Sequence, residues 1–116
     1  MSIYKSVLPF TRALPIDACG TSGITTMQAN YTDLVKCFGL PDKVNEISDK
    51  VSAEWVLSFI DGSIVTIYDW KTSKGYCGAS GVDYQDNIHW HLGGTAKSVV
   101  PAQLIVNALS INEVTT

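Results

Sequence analysis

Apolar and polar positions along the 116-residue chain fall into short blocks of two different periods. "GITTMQA" (23–29) is β-branched and suits a strand. "NYTDLVKCFGLP" follows with helix punctuation: Asn30 as N-cap, Leu34, Val35 and Phe38 as an apolar stripe, Gly39 as C′ and Pro41 beyond it. "DKVNEISDK" (42–50) is polar enough to be a loop. The strongest local signal is "VSAEWVLSFIDGSIVTIYDWK", two β-rich runs flanking Asp61-Gly62, which predicts a hairpin closed by a two-residue type I′ turn.

Counting outward from that turn sets a register. Ile60 faces Ser63, and Phe59/Ile64, Leu57/Thr66, Trp55/Tyr68 and Ala53/Trp70 share one face. Ser58/Val65, Val56/Ile67 and Glu54/Asp69 share the other. Both faces are substantially apolar, so helices are expected on one and a second subunit or a ligand on the other. Glu54 opposite Asp69 is a like-charge conflict, relieved if both splay into water at the open end or if a cation or Lys71 lies between them. Trp55 and Trp90 suit the core. Tyr68 and Trp70, near the open end, are better placed for a ligand.

"KTSKGYCGASGVDYQD" (71–86), punctuated by Gly75, Gly78 and Gly81, is expected to be a functional loop. "NIHWHL" alternates as a strand, with Ile88, Trp90 and Leu92 on one face and His89 and His91 on the other. After Gly93-Gly94, "TAKSVVPAQLIVNALS" carries a helical stripe of Val99, Val100, Leu104, Ile105, Ala108 and Leu109. Thr95 is its natural N-cap; Pro101 instead favours a later start capped by Ser98. Residues 1–22, with Pro9 and Pro15, read as an irregular N-terminal arm. The expected fold is α+β: a small antiparallel sheet with a central β-hairpin and two helices packed on one face, forming one domain over 23–116 behind the arm.

Composition narrows the function. A net charge of −3 and only 16% charged residues argue against coating long nucleic acid. Cys19, Cys37 and Cys77 are odd in number and widely spaced, which fits reduced thiols in a cytoplasm. No membrane-length apolar run is present.

"NIHWHLGGT" (87–95) is the candidate chemistry. His-x-His on a strand aims both imidazoles to one face, as some metal sites require, but the chain has no other histidine and nothing in the spacing of Cys77 or Glu54 recommends them as further ligands. No metal or cofactor is expected. No Gly-x-Ser-x-Gly elbow appears, and "GGTAKS" is not a phosphate-binding loop. What survives is a binding site. Gly93-Gly94 entering a helix exposes amides at the positive end of a helix dipole, aromatic rings supply platforms for bases, and Lys71 and Lys74 can neutralise phosphate.

Three segments, "NYTDLVKCFGLPDKV", "AEWVLSFIDGSIVTIYDWK" and "NIHWHLGG", resemble a group of small phage-encoded proteins. Those run Tyr-x-x-Leu-Val-x-x-Phe-Gly-x-Pro, then Trp-x-apolar-x-Phe-x-Asp-Gly-x-apolar-x-Thr-Ile-Tyr-x-Trp-Lys, then Trp-His-(Ile/Leu)-Gly-Gly. The match spans about residues 30–109. Some similar phage proteins sequester cyclic nucleotide messengers of bacterial immunity without cleaving them, as homo-oligomers. The resemblance implies a ligand site of Tyr68, Trp70, Lys71, Trp90, His91, Gly93, Gly94 and Thr95, no catalytic residue, and a setting in the cytoplasm of an infected bacterial cell. The arm of residues 1–22 lies outside the match. Two alternatives stand beside it: a protein–protein inhibitor of a host defence factor, and a small phosphodiesterase using Glu54, Asp69 and His91.

Overall fold

The computed structural model describes residues 10–13, 21–43, 53–59, 61–70 and 80–110. They form an α+β domain with an antiparallel sheet and two helices. In chain order come β1 (Phe10–Arg12), β2 (Ser22–Gln28), α1 (Tyr31–Phe38), β3 (Asp42–Lys43), β4 (Ala53–Phe59), β5 (Ile64–Tyr68), β6 (His89–Gly94) and α2 (Val99–Leu109). Short 3₁₀ turns sit at Tyr84–Asp86 and Ala96–Ser98. The sheet order is β1-β4-β5-β6-β2, with β3 sharing the outer edge of β4 beside β1. The hairpin β4-β5 is therefore central. No described helix is long and apolar enough to cross a membrane.

Helix α1 behaves as its pattern dictates. Leu34 and Phe38 are buried, one turn apart, and the helix stops at Gly39, whose N–H donates to the Val35 carbonyl. Both ends of α1 are tied to tryptophans of the sheet. Trp90 Nε1 donates to the Ala29 carbonyl (3.1 Å) just ahead of the helix, and Trp55 Nε1 donates to the Gly39 carbonyl (2.8 Å) just after it. The two indoles meet edge to face at 5.3 Å. They stand at the centre of the core with Met27, Leu57, Phe59, Val65, Ile67 and Leu92, roofed by α1 and by Ala102, Ile105 and Leu109 of α2. Truncating a tryptophan buried this way costs about 3–5 kcal/mol.

Four expectations need correction. Residues 10–12 are not irregular: β1 pairs with β4, packs Phe10 against Phe38 (5.1 Å) and Phe59, and sends Arg12 to the α1 terminus. Arg12 Nη1 donates to the Phe38 and Leu40 carbonyls (2.8 and 2.7 Å), which a helix end leaves without intrahelical partners. Residues 42–43 of the expected loop form β3; residues 44–50 lie outside the described residues. Val99 and Val100 leave the expected stripe, being 57% and 64% exposed, and the buried face of α2 starts at Pro101 and Ala102. Thr95 and Ser98 share the N-terminal role, Thr95 capping the 3₁₀ turn and Ser98 preceding α2.

The fourth correction is the hairpin register. Phe59 N–H donates to the Ser63 carbonyl (3.0 Å) and Gly62 N–H to the Phe59 carbonyl (2.9 Å), so three residues separate the closing pair rather than two. Gly62 sits at φ 88°, the left-handed last position of a three-residue loop. Asp61 Oδ1 accepts from the Ser63 N–H (2.9 Å) and hydroxyl (2.7 Å), bonds that hold its carboxyl below the usual range. Every pair then shifts by one: Ser58↔Ile64, Leu57↔Val65, Val56↔Thr66, Trp55↔Ile67 and Glu54↔Tyr68. One residue of slip exchanges the faces. Trp55, Leu57 and Phe59 now share the helix-covered face with Val65 and Ile67, while Tyr68 moves to the opposite face with Glu54.

Open space surrounds the missing Cβ of Gly62, so only backbone strain opposes a side chain there. Gly62→Ala is expected to cost about 1–2 kcal/mol and Gly62→Asn clearly less, measured by urea unfolding. Equal, negligible losses for both would show that the turn does not depend on the left-handed residue.

Candidate functional site

Strand alternation with Trp55, Ile67 and Trp90 inward forces their neighbours outward. Across the face away from the helices runs one row of directly opposed residues: Asp42 on β3, Glu54 on β4, Tyr68 on β5, His91 on β6 and Thr26 on β2. The next row holds Val56, Thr66, Gly93 and Gly23. Tyr68 and His91 stack at 5.7 Å with 22° between their planes, and Trp70 meets Tyr68 edge on at 6.3 Å. A Cβ built on Gly23 would lie 3.9 Å from the Tyr68 hydroxyl, so the phenol reaches across towards the glycines.

A cavity of about 210 Å³ lies against this cluster, lined by Glu54, Thr66, Tyr68, Trp70 and Gly93 with Thr21 and Ser22 from the head of β2. A larger one, about 420 Å³, is lined by Thr26, Gln28, His89, Trp90 and His91 together with Val106 of α2 and Ser110 just after it. His91 thus borders the larger cavity while its ring stacks on a residue of the smaller. The smaller one combines aromatic planes with an ionisable acid, and is the better candidate for a specific ligand.

Electrostatics distinguish the wall residues. Burial, and then Asp42 across the strand pair, push the Glu54 carboxyl above its usual range. Burial, and then Glu54, push the Tyr68 phenol up. Burial lowers His91, with Asp69 opposing, so at neutral pH the imidazole is uncharged. Asp42 itself is paired with Arg12, Nη2 to Oδ2 at 3.4 Å. Among the described residues, no donor reaches the carboxylate of Glu54.

The like-charge conflict exists, but its partner is Asp42 rather than Asp69. Asp69 is fully buried and its Oδ1 accepts the Ala53 N–H at 3.1 Å. It is not paired with Glu54 in the cavity, as two-carboxylate hydrolysis requires. Among the described residues no group of three or more His, Cys, Asp or Glu side chains is placed to hold a metal ion.

Of the eight residues assigned to a ligand, four gather here: Tyr68, Trp70, His91 and Gly93. Trp90 is fully buried in the core and borders the larger cavity from beneath. Gly94 faces the other way, against the 3₁₀ turn, where a Cβ would fall 2.5 Å from the Ile64 carbonyl oxygen and 2.6 Å from Ser98 Cβ. Thr95 N–H donates to Ser98 Oγ at 3.0 Å and lies 3.4 Å from the Ile64 carbonyl, and Ser98 Oγ also donates to that carbonyl. β6 is hydrogen-bonded on both edges, so the expected anion cradle of free amides at the strand–helix junction is not formed there. Lys71 and Lys74 lie outside the described residues. The sequence places Glu54 only in the phosphodiesterase alternative, because the two-residue turn pairs it with Asp69; in the fold it lines the cavity opposite Tyr68.

No protein-family model matches the chain, and no curated protein matches it in sequence.

The two glycines differ in what surrounds them, and so should their alanine variants. A Cβ on Gly93 would sit 2.9 Å from the Ser22 carbonyl oxygen and from Thr66 Oγ1, so Gly93→Ala is expected to destabilise by about 1–3 kcal/mol. Gly94→Ala, closer to both main chain and Ser98, is expected to destabilise more, by chemical denaturation; the reverse order would place the tighter contact at Gly93. Glu54 gives a second outcome. Its folded-state pKa is raised, so ionisation costs stability as pH rises through that value. Glu54→Gln is expected to melt a few degrees above the wild type at pH 7, with the gap closing towards about pH 4. His91 has the opposite sign, losing stability as pH falls, but it is common to both proteins and cancels from the difference. A lower melting point for the variant at pH 7 would mean that Glu54 has a stabilising partner.

Proposed function

We propose that this protein binds a nucleotide signal, of the cyclic kind, and holds it without cleaving it. The observation that carries the reading is the half-buried Tyr68–His91 stack with the exposed Trp70 edge on, set against two cavities on the sheet. Flat heteroaromatic bases stack on such rings for roughly 1–3 kcal/mol each. His91, neutral and half-buried, offers a ring face and a hydrogen bond instead of charge. Phosphate contacts fall to residues beyond the described face, with Lys71 directly after Trp70 in sequence. The motif resemblance to phage proteins that sequester immune messengers points the same way, to an anti-defence protein acting as a homo-oligomer.

One observation favours the rival, an inhibitor that docks on a host protein: the exposed apolar pair Val99–Val100 at the head of α2. Patches of this kind are what protein interfaces bury. The two readings use different parts of the molecule, so one experiment separates them.

Purified protein is titrated calorimetrically with a panel of cyclic di- and trinucleotides, and bound ligand is recovered by heating and weighed by mass spectrometry. Submicromolar binding and intact ligand are expected. Tyr68→Ala or Trp70→Ala should each weaken binding roughly ten- to a hundredfold, while Val99→Asp with Val100→Asp leaves it unchanged. Absence of binding, or a recovered ligand that is hydrolysed, overturns the proposal. Capture of a host protein that the double Asp variant abolishes supports the rival.

A further inference from the structure

The smaller cavity has an acid where a phosphate site would have a base. Glu54 enters it from β4, opposite Tyr68 and beside Trp70. Among the described lining residues there is no Lys or Arg. Arg12, which meets this row at Asp42, is committed to that carboxylate and to two carbonyls at the end of α1. The Glu54 carboxylate is thus half-buried, faced by a second acid, and without a donor from its own chain among the described residues. Keeping such a group costs stability, and a carboxylate can only accept. Its missing partner is a set of N–H donors.

We infer that Glu54 is the specificity-determining residue of this site, selecting a nucleobase that presents two adjacent N–H donors on one edge, as guanine does. This rests on the nucleotide-binding reading above. The geometry fits in two respects. Tyr68 and Glu54 are directly opposed on adjacent strands, so a base lying on the Tyr68–Trp70 corner turns one edge towards the carboxylate. Gly93, which lines the same cavity, adds no side chain of its own to the wall beside Thr66. Guanine offers N1–H and the 2-amino group to the two carboxylate oxygens. Adenine offers one donor and one lone pair, and the lone pair is repelled by the carboxylate. A bidentate contact of this sort discriminates by roughly ten- to a hundredfold.

The test compares cyclic di-GMP, cyclic di-AMP and cyclic di-UMP on wild type, Glu54→Gln and Tyr68→Ala by titration calorimetry, with choline as a cationic control. The wild type is expected to prefer cyclic di-GMP over cyclic di-AMP at least tenfold. Glu54→Gln should lose that preference and shift towards adenine, because an amide both accepts and donates. Tyr68→Ala should weaken the guanine and adenine ligands by similar factors, which separates stacking from edge recognition. Nucleotide binding in which adenine equals guanine, or in which Glu54→Gln leaves the ratio unchanged, overturns this inference while leaving the nucleotide reading intact. If no nucleotide binds, both fall. Saturable choline binding lost in Glu54→Gln would then show that the aromatic corner and the acid hold an organic cation.

Discussion

Two tryptophans hold one helix at both ends, and the rest of the molecule is arranged around that constraint. Trp90 and Trp55 touch at 5.3 Å in the centre of the core, and each spends its single N–H on a carbonyl flanking α1. A buried indole needs that partner, and the chain on either side of a helix has carbonyls to offer. The satisfaction is mutual, so neither strand can slide against α1 without leaving an unpaired polar group inside. Alternation does the rest. With Trp55, Ile67 and Trp90 inward, Glu54, Tyr68 and His91 must point outward, and adjacent strands put them side by side. The candidate site is the reverse side of the core.

Much of this was legible in the chain. Trp55 and Trp90 read as core residues, although the resemblance also puts Trp90 at the ligand; α1 reads from its caps and stripe, and the His-x-His alternation sets His91 opposite Trp90. Tyr68 and Trp70 stood out as better placed for a ligand because they flank the open end of a hairpin. The hairpin register was not legible from Asp61-Gly62 alone. That dipeptide serves a two-residue loop at both central positions, or a three-residue loop with glycine last. Ser63 selects the latter by giving both its N–H and its hydroxyl to Asp61. A side-chain bond across two residues thereby exchanged the faces of half a sheet, and with them the partner of Glu54.

The glycine pair misled for a related reason. Gly93-Gly94 ahead of a helix resembles an anion cradle when strand and helix are drawn as separate elements. In the folded chain both glycines remain within β6, paired on two edges, and their absent side chains face opposite ways. Gly93 lets the Ser22 carbonyl and the Thr66 hydroxyl close over it on the outer face, whereas Gly94 lets the 3₁₀ turn fold back so that Ser98 can reach the Ile64 carbonyl and the Thr95 amide. Sequence proximity therefore joined two unrelated requirements, one for a surface and one for a corner.

The N-terminal strand completes the electrostatic picture, although nothing in its pattern announced it. Without β1, Asp42 and Glu54 would face each other without the Arg12 guanidinium, a pairing that disfavours both charges. Arg12 answers only one of them. Its guanidinium is fixed by the Phe38 and Leu40 carbonyls, and from there it meets Asp42. Asp42 is thereby held beside Glu54, whose carboxyl is pushed above its usual range by burial and then by Asp42. A three-residue strand thus bears on the charge on the pocket wall. The acid on that wall is left for a donor that the described chain does not supply.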